Sequence, residues 1–245
     1  MLSDQTVSTL RRLKLSGMAT AYEQQLAQPS TGDLSFEERF GLLVDSESTA
    51  RENRRLKRHL LLAKFRLQAC LEDLDYRSHR GLQKSQMATL ASCDWIGKHQ
   101  NLCITGPTGT GKTFLACALG TQACRQGLSV KYFRLPRLFE MLKIAHGDGS
   151  FPRLATHLAK ADLLILDDWG LQKPAVQERT DLLELLEDRY GNRATCVTSQ
   201  LPVKNWYEYL GDPTLADAIL DRLVHNAHKI QLTGESMRKK NQILD

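Results

Sequence analysis

The residues best suited to chemistry lie in one short run, Gly106-Pro107-Thr108-Gly109-Thr110-Gly111-Lys112-Thr113. A glycine, a four-residue spacer and then Gly-Lys-Thr is a pattern that cradles nucleotide phosphates. Each position has a physical reason. The glycines let backbone N–H groups turn towards phosphate oxygens with no Cβ in the way. A helix starting at the end of the loop adds free N–H groups and the positive end of its dipole. Lys112 sets an ammonium against the β- and γ-phosphates, and the Thr113 hydroxyl is placed to ligate Mg²⁺. The loop therefore asks for ATP and Mg²⁺.

A second feature is Leu163-Leu164-Ile165-Leu166-Asp167-Asp168, four apolar residues closing on two carboxylates. A buried strand holds its last residues rigidly at the C-terminal edge of a sheet, where ligands bind in open α/β folds. Asp167 is expected to hold Mg²⁺ through water, and Asp168 to orient or deprotonate an attacking water. Many proteins with this loop use Glu at the second place, and Asp is one methylene shorter. The next apolar strand ends in Val197-Thr198-Ser199-Gln200. In this architecture it lies beside the acidic pair. A polar group at its tip can touch the γ-phosphate or the water; Gln200 is the first choice, with Ser199 and Thr198 as competitors. Arg222, in Asp221-Arg222-Leu223, is a candidate arginine finger given to a neighbouring subunit, where a guanidinium can spread its charge over the transferring phosphoryl. Arg238 is a candidate second sensor on the nucleotide, or part of a basic tail with Lys239 and Lys240.

These groups need a scaffold. Residues 1–75 read as helical. Leu10, Leu13, Met18, Tyr22 and Leu26 recur at helical spacing, and Gly17 interrupts the stretch or joins two short helices. Pro29-Ser30-Thr31-Gly32 is a break. Ser35-Phe36-Glu37-Glu38 has the form of a capping box opening a helix with Phe40, Leu43 and Val44 on one side. A further helical run carries Leu56, Leu60, Ala63 and Leu67. From residue 76 to 245 strands alternate with helices. Strands are expected at 101–105, 129–133, 162–166 and 194–198, and helices at 113–126, 136–145, 176–190 and 215–220. His146–Ser150 reads as a loop. This alternation predicts an α/β fold with a parallel sheet covered on both faces, preceded by a small helical domain.

The 245 residues carry a formal net charge of +5, with 42% hydrophobic and 25% charged residues. The basic residues are concentrated. On a helix Arg51, Arg54, Arg55 and Arg58 share one face, while Leu56, Leu60, Ala63 and Leu67 form another stripe. Such a face suits DNA phosphates, a solvated surface or a subunit contact. The absence of interleaved aromatics favours duplex over single strands. The six cysteines and seven histidines form neither a Cys-x-x-Cys pair nor a His-Glu-x-x-His, so neither a zinc site nor a disulfide framework is expected. No apolar run approaches the ~18 residues of a membrane span, and the first residues lack the layout of a secretory signal, so the expected location is the cytoplasm.

The chain resembles the AAA+ ATPases of the initiator and helicase-loader branch, and is more closely similar to the IstB family of insertion-sequence ATP-binding proteins. The likeness rests on Leu15-Ser16-Gly17-Met18-Ala19, Ser35-Phe36-Glu37-Glu38-Arg39, Arg51-Glu52-Asn53, Glu72-Asp73-Leu74-Asp75-Tyr76 and Arg80-Gly81-Leu82. It continues through Leu164-Ile165-Leu166-Asp167-Asp168-Trp169-Gly170, Thr198-Ser199-Gln200-Leu201-Pro202, Asp212 to Ala218, Asp221-Arg222-Leu223 and Gly234-Glu235-Ser236-Met237-Arg238. The resemblance implies an AAA+ phosphate-loop ATPase that assembles with ATP on double-stranded DNA as a homo-oligomer. It also implies that the oligomer presents target DNA to a partner transposase and stimulates insertion. Within that family Asp-Asp is the usual acidic pair. A DnaC-like helicase loader is the first alternative. A GTPase is disfavoured because no Asn-Lys-x-Asp motif is present, and a small-molecule kinase has no need of Arg222 in trans.

Overall fold

The computed structural model describes residues 2–28, 33–76 and 80–237. Contacts divide the chain into two compact units, Met1–Arg58 and His59–Asp245. The expected break at Pro29–Gly32 lies outside the described residues. No described helix is long and apolar enough to cross a membrane.

The first unit is helical: α1 (Leu2–Arg12), α2 (Ser16–Ala27) and most of α3 (Phe36–Ala63). The capping box forms at the start of α3. Ser35 N–H donates to Glu38 Oε2 at 2.8 Å, and Glu38 N–H donates to Ser35 Oγ at 3.2 Å. The two helical runs read from the sequence join in one helix, but it ends at Ala63, so Leu67, expected on the second run, lies beyond it. Phe40 and Val44 are exposed on it. Burial in this unit centres instead on Gly17, Ala19 and the carboxylate of Glu47. Glu47 accepts from Gly17 N–H at 2.7 Å and Met18 N–H at 3.3 Å. It thereby satisfies free N–H groups in the first turn of α2. The adjacent Arg51, followed by these backbone donors, holds the Glu47 carboxyl below its ordinary value.

Gly17 is where α2 and α3 meet. A Cβ there would sit 2.6 Å from the Ser46 carbonyl oxygen and 2.7 Å from Glu47 Cα. Both are backbone atoms and cannot swing aside. Gly17→Ala is expected to cost the helical unit about 1–3 kcal/mol, as overpacking does. Thermal unfolding followed by far-UV circular dichroism measures it, and an unchanged transition would refute the close approach.

In the second unit α4 (Lys84–Ala91) and α5 (Asp94–Gly97) lead into a five-stranded sheet. Its strands are β1 (Asn101–Thr105), β2 (Val130–Arg134), β3 (Leu163–Trp169), β4 (Ala194–Ser199) and β5 (Ala227–Gln231). The order is β2-β3-β4-β1-β5, and every pairing is parallel. The flanking helices are α6 (Lys112–Arg125), α7 (Leu135–Asp148), α8 (Phe151–Ala159), α9 (Val176–Arg189), α10 (Trp206–Leu210) and α11 (Pro213–Val224). A parallel sheet covered on both faces needs continuous apolar strands. β1 and β4 are buried at every position, and β3 at all but Asp168. All five C-terminal strand ends therefore share one edge.

β5 and the helices α4, α5, α8 and α10 are not among the elements expected from the sequence. β5 reads Ala-His-Lys-Ile-Gln, and only Ile230 is buried, because it is an edge strand. The expected loop at His146–Ser150 is shorter, since α7 runs on to Asp148.

Candidate active site

The loop that follows β1 is shaped by its glycines. Gly106, Gly109 and Gly111 have φ of +151°, +84° and +95°. Gly111 is the N-cap of α6 in the left-handed region, where a side chain is strained. The chain can then enter α6 with its first N–H groups facing the loop's hollow. Lys112 Nζ reaches back to the carbonyls of Gly106 and Pro107, both at 2.7 Å. Thr110 Oγ1 closes onto the Pro107 carbonyl at 2.9 Å. The ammonium thus already lies within the loop.

Beside it, Asp167 is fully buried. Its carboxylate accepts from Thr113 Oγ1 at 3.0 and 3.1 Å, from Tyr132 Oη and from Thr198 Oγ1. A buried charge costs little only when its lone pairs are filled this way. The Tyr132 phenol is pushed well above its ordinary pKa, first by burial and then by its bond to Asp167. The Thr113 hydroxyl and the Asp167 carboxylate form an oxygen donor set suited to a small hard cation.

Asp168 does something different. The β3–β4 register shifts between Leu166 and Trp169, and Asp168 has a φ of +64°. A bulge re-aims side chains, and a left-handed non-glycine residue is held only where its surroundings enforce it. Here Asp168 faces Arg134 Nε at 2.6 Å and Arg66 Nη1 at 3.7 Å. The Asp168 carboxylate in turn raises the Arg134 pKa. The following Trp169 is buried against Trp206 and Tyr209, with ring centroids 5.2 and 5.8 Å away. That aromatic cluster anchors the acidic turn.

β4 lies between β3 and β1, so its tip stands between the acidic pair and the loop. Thr198 is buried on Asp167, and Ser199 Oγ donates to the Trp169 carbonyl at 2.7 Å. Gln200 is exposed and accepts from Thr108 Oγ1 at 2.8 Å. Arg222 lies elsewhere. Its carbonyl accepts from Asn101 Nδ2 at 2.7 Å, and Asn101 opens the strand whose far end feeds the loop. Five residues of strand put roughly 16 Å between them. Arg238 lies outside the described residues.

The family described as IstB-like ATP binding protein matches residues 8–244. The chain belongs to that family. It is 52% identical over 242 residues to the insertion sequence ATP-binding protein y4pL of Sinorhizobium fredii, covering 99% of each chain. Among solved structures, DnaI superposes with a TM-score of 0.58 at 24% identity, over 69% of this chain and 90% of that one. The replication initiator DnaA, solved with AMPPCP and single-stranded DNA, gives 0.56 at 17%, over 74% and 56%. The fold is thus AAA+, and this IstB-like protein is an ATP-binding ATPase.

Four members of the site escaped the sequence reading. Tyr132 and Arg134 are two apart on β2 and reach Asp167 and Asp168. Their alternation is a strand signal, but only the pairing of β2 with β3 brings them to the acids. Arg66 comes from the segment after α3. Arg80, nine-tenths buried, donates from Nη1 to the Thr110 carbonyl at 3.3 Å and from Nη2 to the Asp75 carbonyl at 2.6 Å, bracing the loop.

Proposed function

We propose that this ATPase works as a homo-oligomer on duplex DNA, with ATP and Mg²⁺ between neighbouring subunits, and that it delivers target DNA to a partner transposase. The observation that carries this reading is the separation of loop and finger. Lys112 and Arg222 lie at opposite ends of β1, out of reach of one another, which supports a role for Arg222 at a site on another copy. The insertion-sequence relatives supply the biological setting. In this reading Thr113 and Asp167 hold Mg²⁺, which would neutralise charge on the phosphates. The remaining groups act from the protein. Lys112 binds the terminal phosphates, Gln200 orients the attacking water, and Asp168 takes its proton. For Asp168 to do so, its pair with Arg134 must open. Arg238, outside the described residues, is in this reading the second sensor for the nucleotide.

The DNA surface we assign is the exposed face of α3 at Arg51, Arg54, Arg55 and Arg58, on a helical N-terminal domain extending to about residue 75. Arg51 and Arg54 also pair with Glu47 at 2.8 and 3.2 Å, which fixes their side chains against α2. Each phosphate contact releases counterions, so binding weakens steeply with salt. Arg58→Ala is expected to reduce the slope of log K against log salt by about 1. A titration of labelled duplex at several salt concentrations measures it, and an unchanged slope would remove Arg58 from the surface.

The deciding experiment is electron microscopy of the protein with duplex DNA and either ATP or ADP, beside phosphate release with and without DNA. ATP-dependent assembly on DNA is the expected outcome, and its absence would overturn the reading. Capture of a replicative helicase with no transposase would favour the loader alternative.

A further inference from the structure

Arg222 is unusually well held for a surface arginine. Its backbone is pinned by the buried Asn101, whose Nδ2 donates to the Arg222 and Leu223 carbonyls at 2.7 and 3.2 Å. Asn101 Oδ1 in turn accepts from Thr195 N–H at 2.8 Å, so the end of α11 is tied to two strands. The guanidinium is held as well. Nε and Nη2 both donate to the Glu187 carboxylate, the latter at 3.2 Å. Nη1 donates to the Ala218 carbonyl at 3.1 Å, and Asp221 Oδ2 lies 3.6 Å from it. The Tyr190 ring covers the same group, with its centroid 5.9 Å from Cζ.

A guanidinium has five N–H donors. Glu187 and Ala218 account for three of them. The other two sit one on each terminal nitrogen, with Asp221 Oδ2 3.6 Å from Nη1, and two such donors on a guanidinium edge can meet two oxygens of a phosphate. Arginine is otherwise a side chain with large rotamer freedom. A donor aimed before the reaction needs no reorganisation during it. The Glu187 carboxyl is held below its ordinary pKa by Arg222, so the pair is intact at neutral pH.

We infer that Glu187, with Tyr190, is a positioning residue for Arg222: from the end of α9 it locks the guanidinium so that its outer edge faces a neighbour's γ-phosphate. This rests on the trans-arginine reading above. Glu187 never touches the nucleotide in this scheme. Its effect passes wholly through Arg222, which makes it separable from a structural role.

The test is a cycle of Glu187→Gln, Arg222→Ala and the double variant in the full chain, assayed for ATP turnover at concentrations spanning assembly. Glu187→Gln is expected to lower kcat by up to about 10²-fold, the scale of misplacing a group that acts on the reacting atoms, and to leave KM for ATP unchanged. It should have no further effect in the Arg222→Ala background. Mixed assemblies sharpen this. A Glu187→Gln subunit next to a Lys112→Ala subunit receives an intact finger, so its own site should turn over at the parental rate. A parental rate for Glu187→Gln beside a slow Arg222→Ala overturns the inference alone. So does an equal slowing of Arg222→Ala by the second substitution, which would mark a structural role. A parental rate for Arg222→Ala removes the trans-arginine reading itself, and this inference with it.

Discussion

Lys112→Ala protein is expected to release phosphate from ATP about 10²–10³-fold more slowly than the parent, the range for losing one preorganised donor to a developing anion. The reason is local. Nζ already lies between the Gly106 and Pro107 carbonyls, 2.7 Å from each. The side chain leaves the first turn of α6, so its position is set by the helix and the loop together. A phosphate γ-oxygen replaces neutral carbonyls as its partner, and a bond in which donor and acceptor are both charged is the stronger one. The substitution removes no apolar packing, so thermal stability should be close to the parent's. Steady-state turnover and a melt on the same preparation check both halves. Turnover near the parental value in a folded Lys112→Ala protein would show that the loop is not the catalytic centre.

Arg222→Ala is expected to slow turnover by about 10³-fold or more, the scale of an arginine finger. Here the effect must appear only in assemblies. Below the concentration at which subunits associate, parent and variant should hydrolyse ATP at the same low rate. Mixing supplies the positive result. Lys112→Ala subunits have an intact finger and a dead loop, and Arg222→Ala subunits have the reverse. Together they should regain a fraction of parental turnover that neither shows alone. The measurement is phosphate release across mixing ratios. Two inactive variants that stay inactive at every ratio would sink the trans arrangement. Arg222 also pairs with Glu187, whose side chain is about half exposed. An exposed pair of this kind contributes little to stability, so the variant should remain folded.

Much of this protein was legible in one dimension because its chemistry is local. Gly106 to Thr113 must be contiguous, since consecutive N–H groups have to converge on one anion, and the apolar run before Asp167 must be contiguous because a buried strand requires it. The capping box at Ser35–Glu38 is equally local, and it forms as read. The alternation of strands and helices followed from the same short-range patterns. Other features depend on which strands become neighbours. β4 lies beside β3, as the architecture led one to expect, and its other neighbour is β1. That order puts Thr198 on Asp167 and Gln200 on Thr108. Tyr132 and Arg134 reach the acids through the β2–β3 pairing, and Asp168 turns to Arg134 because of a bulge that no residue type announces. The sequence by itself determined that a phosphate-binding loop, an acidic strand end and an arginine near residue 222 exist. Only the tertiary structure decided that loop and arginine stand at opposite ends of one strand, because strand order and register are set by packing across the whole sheet.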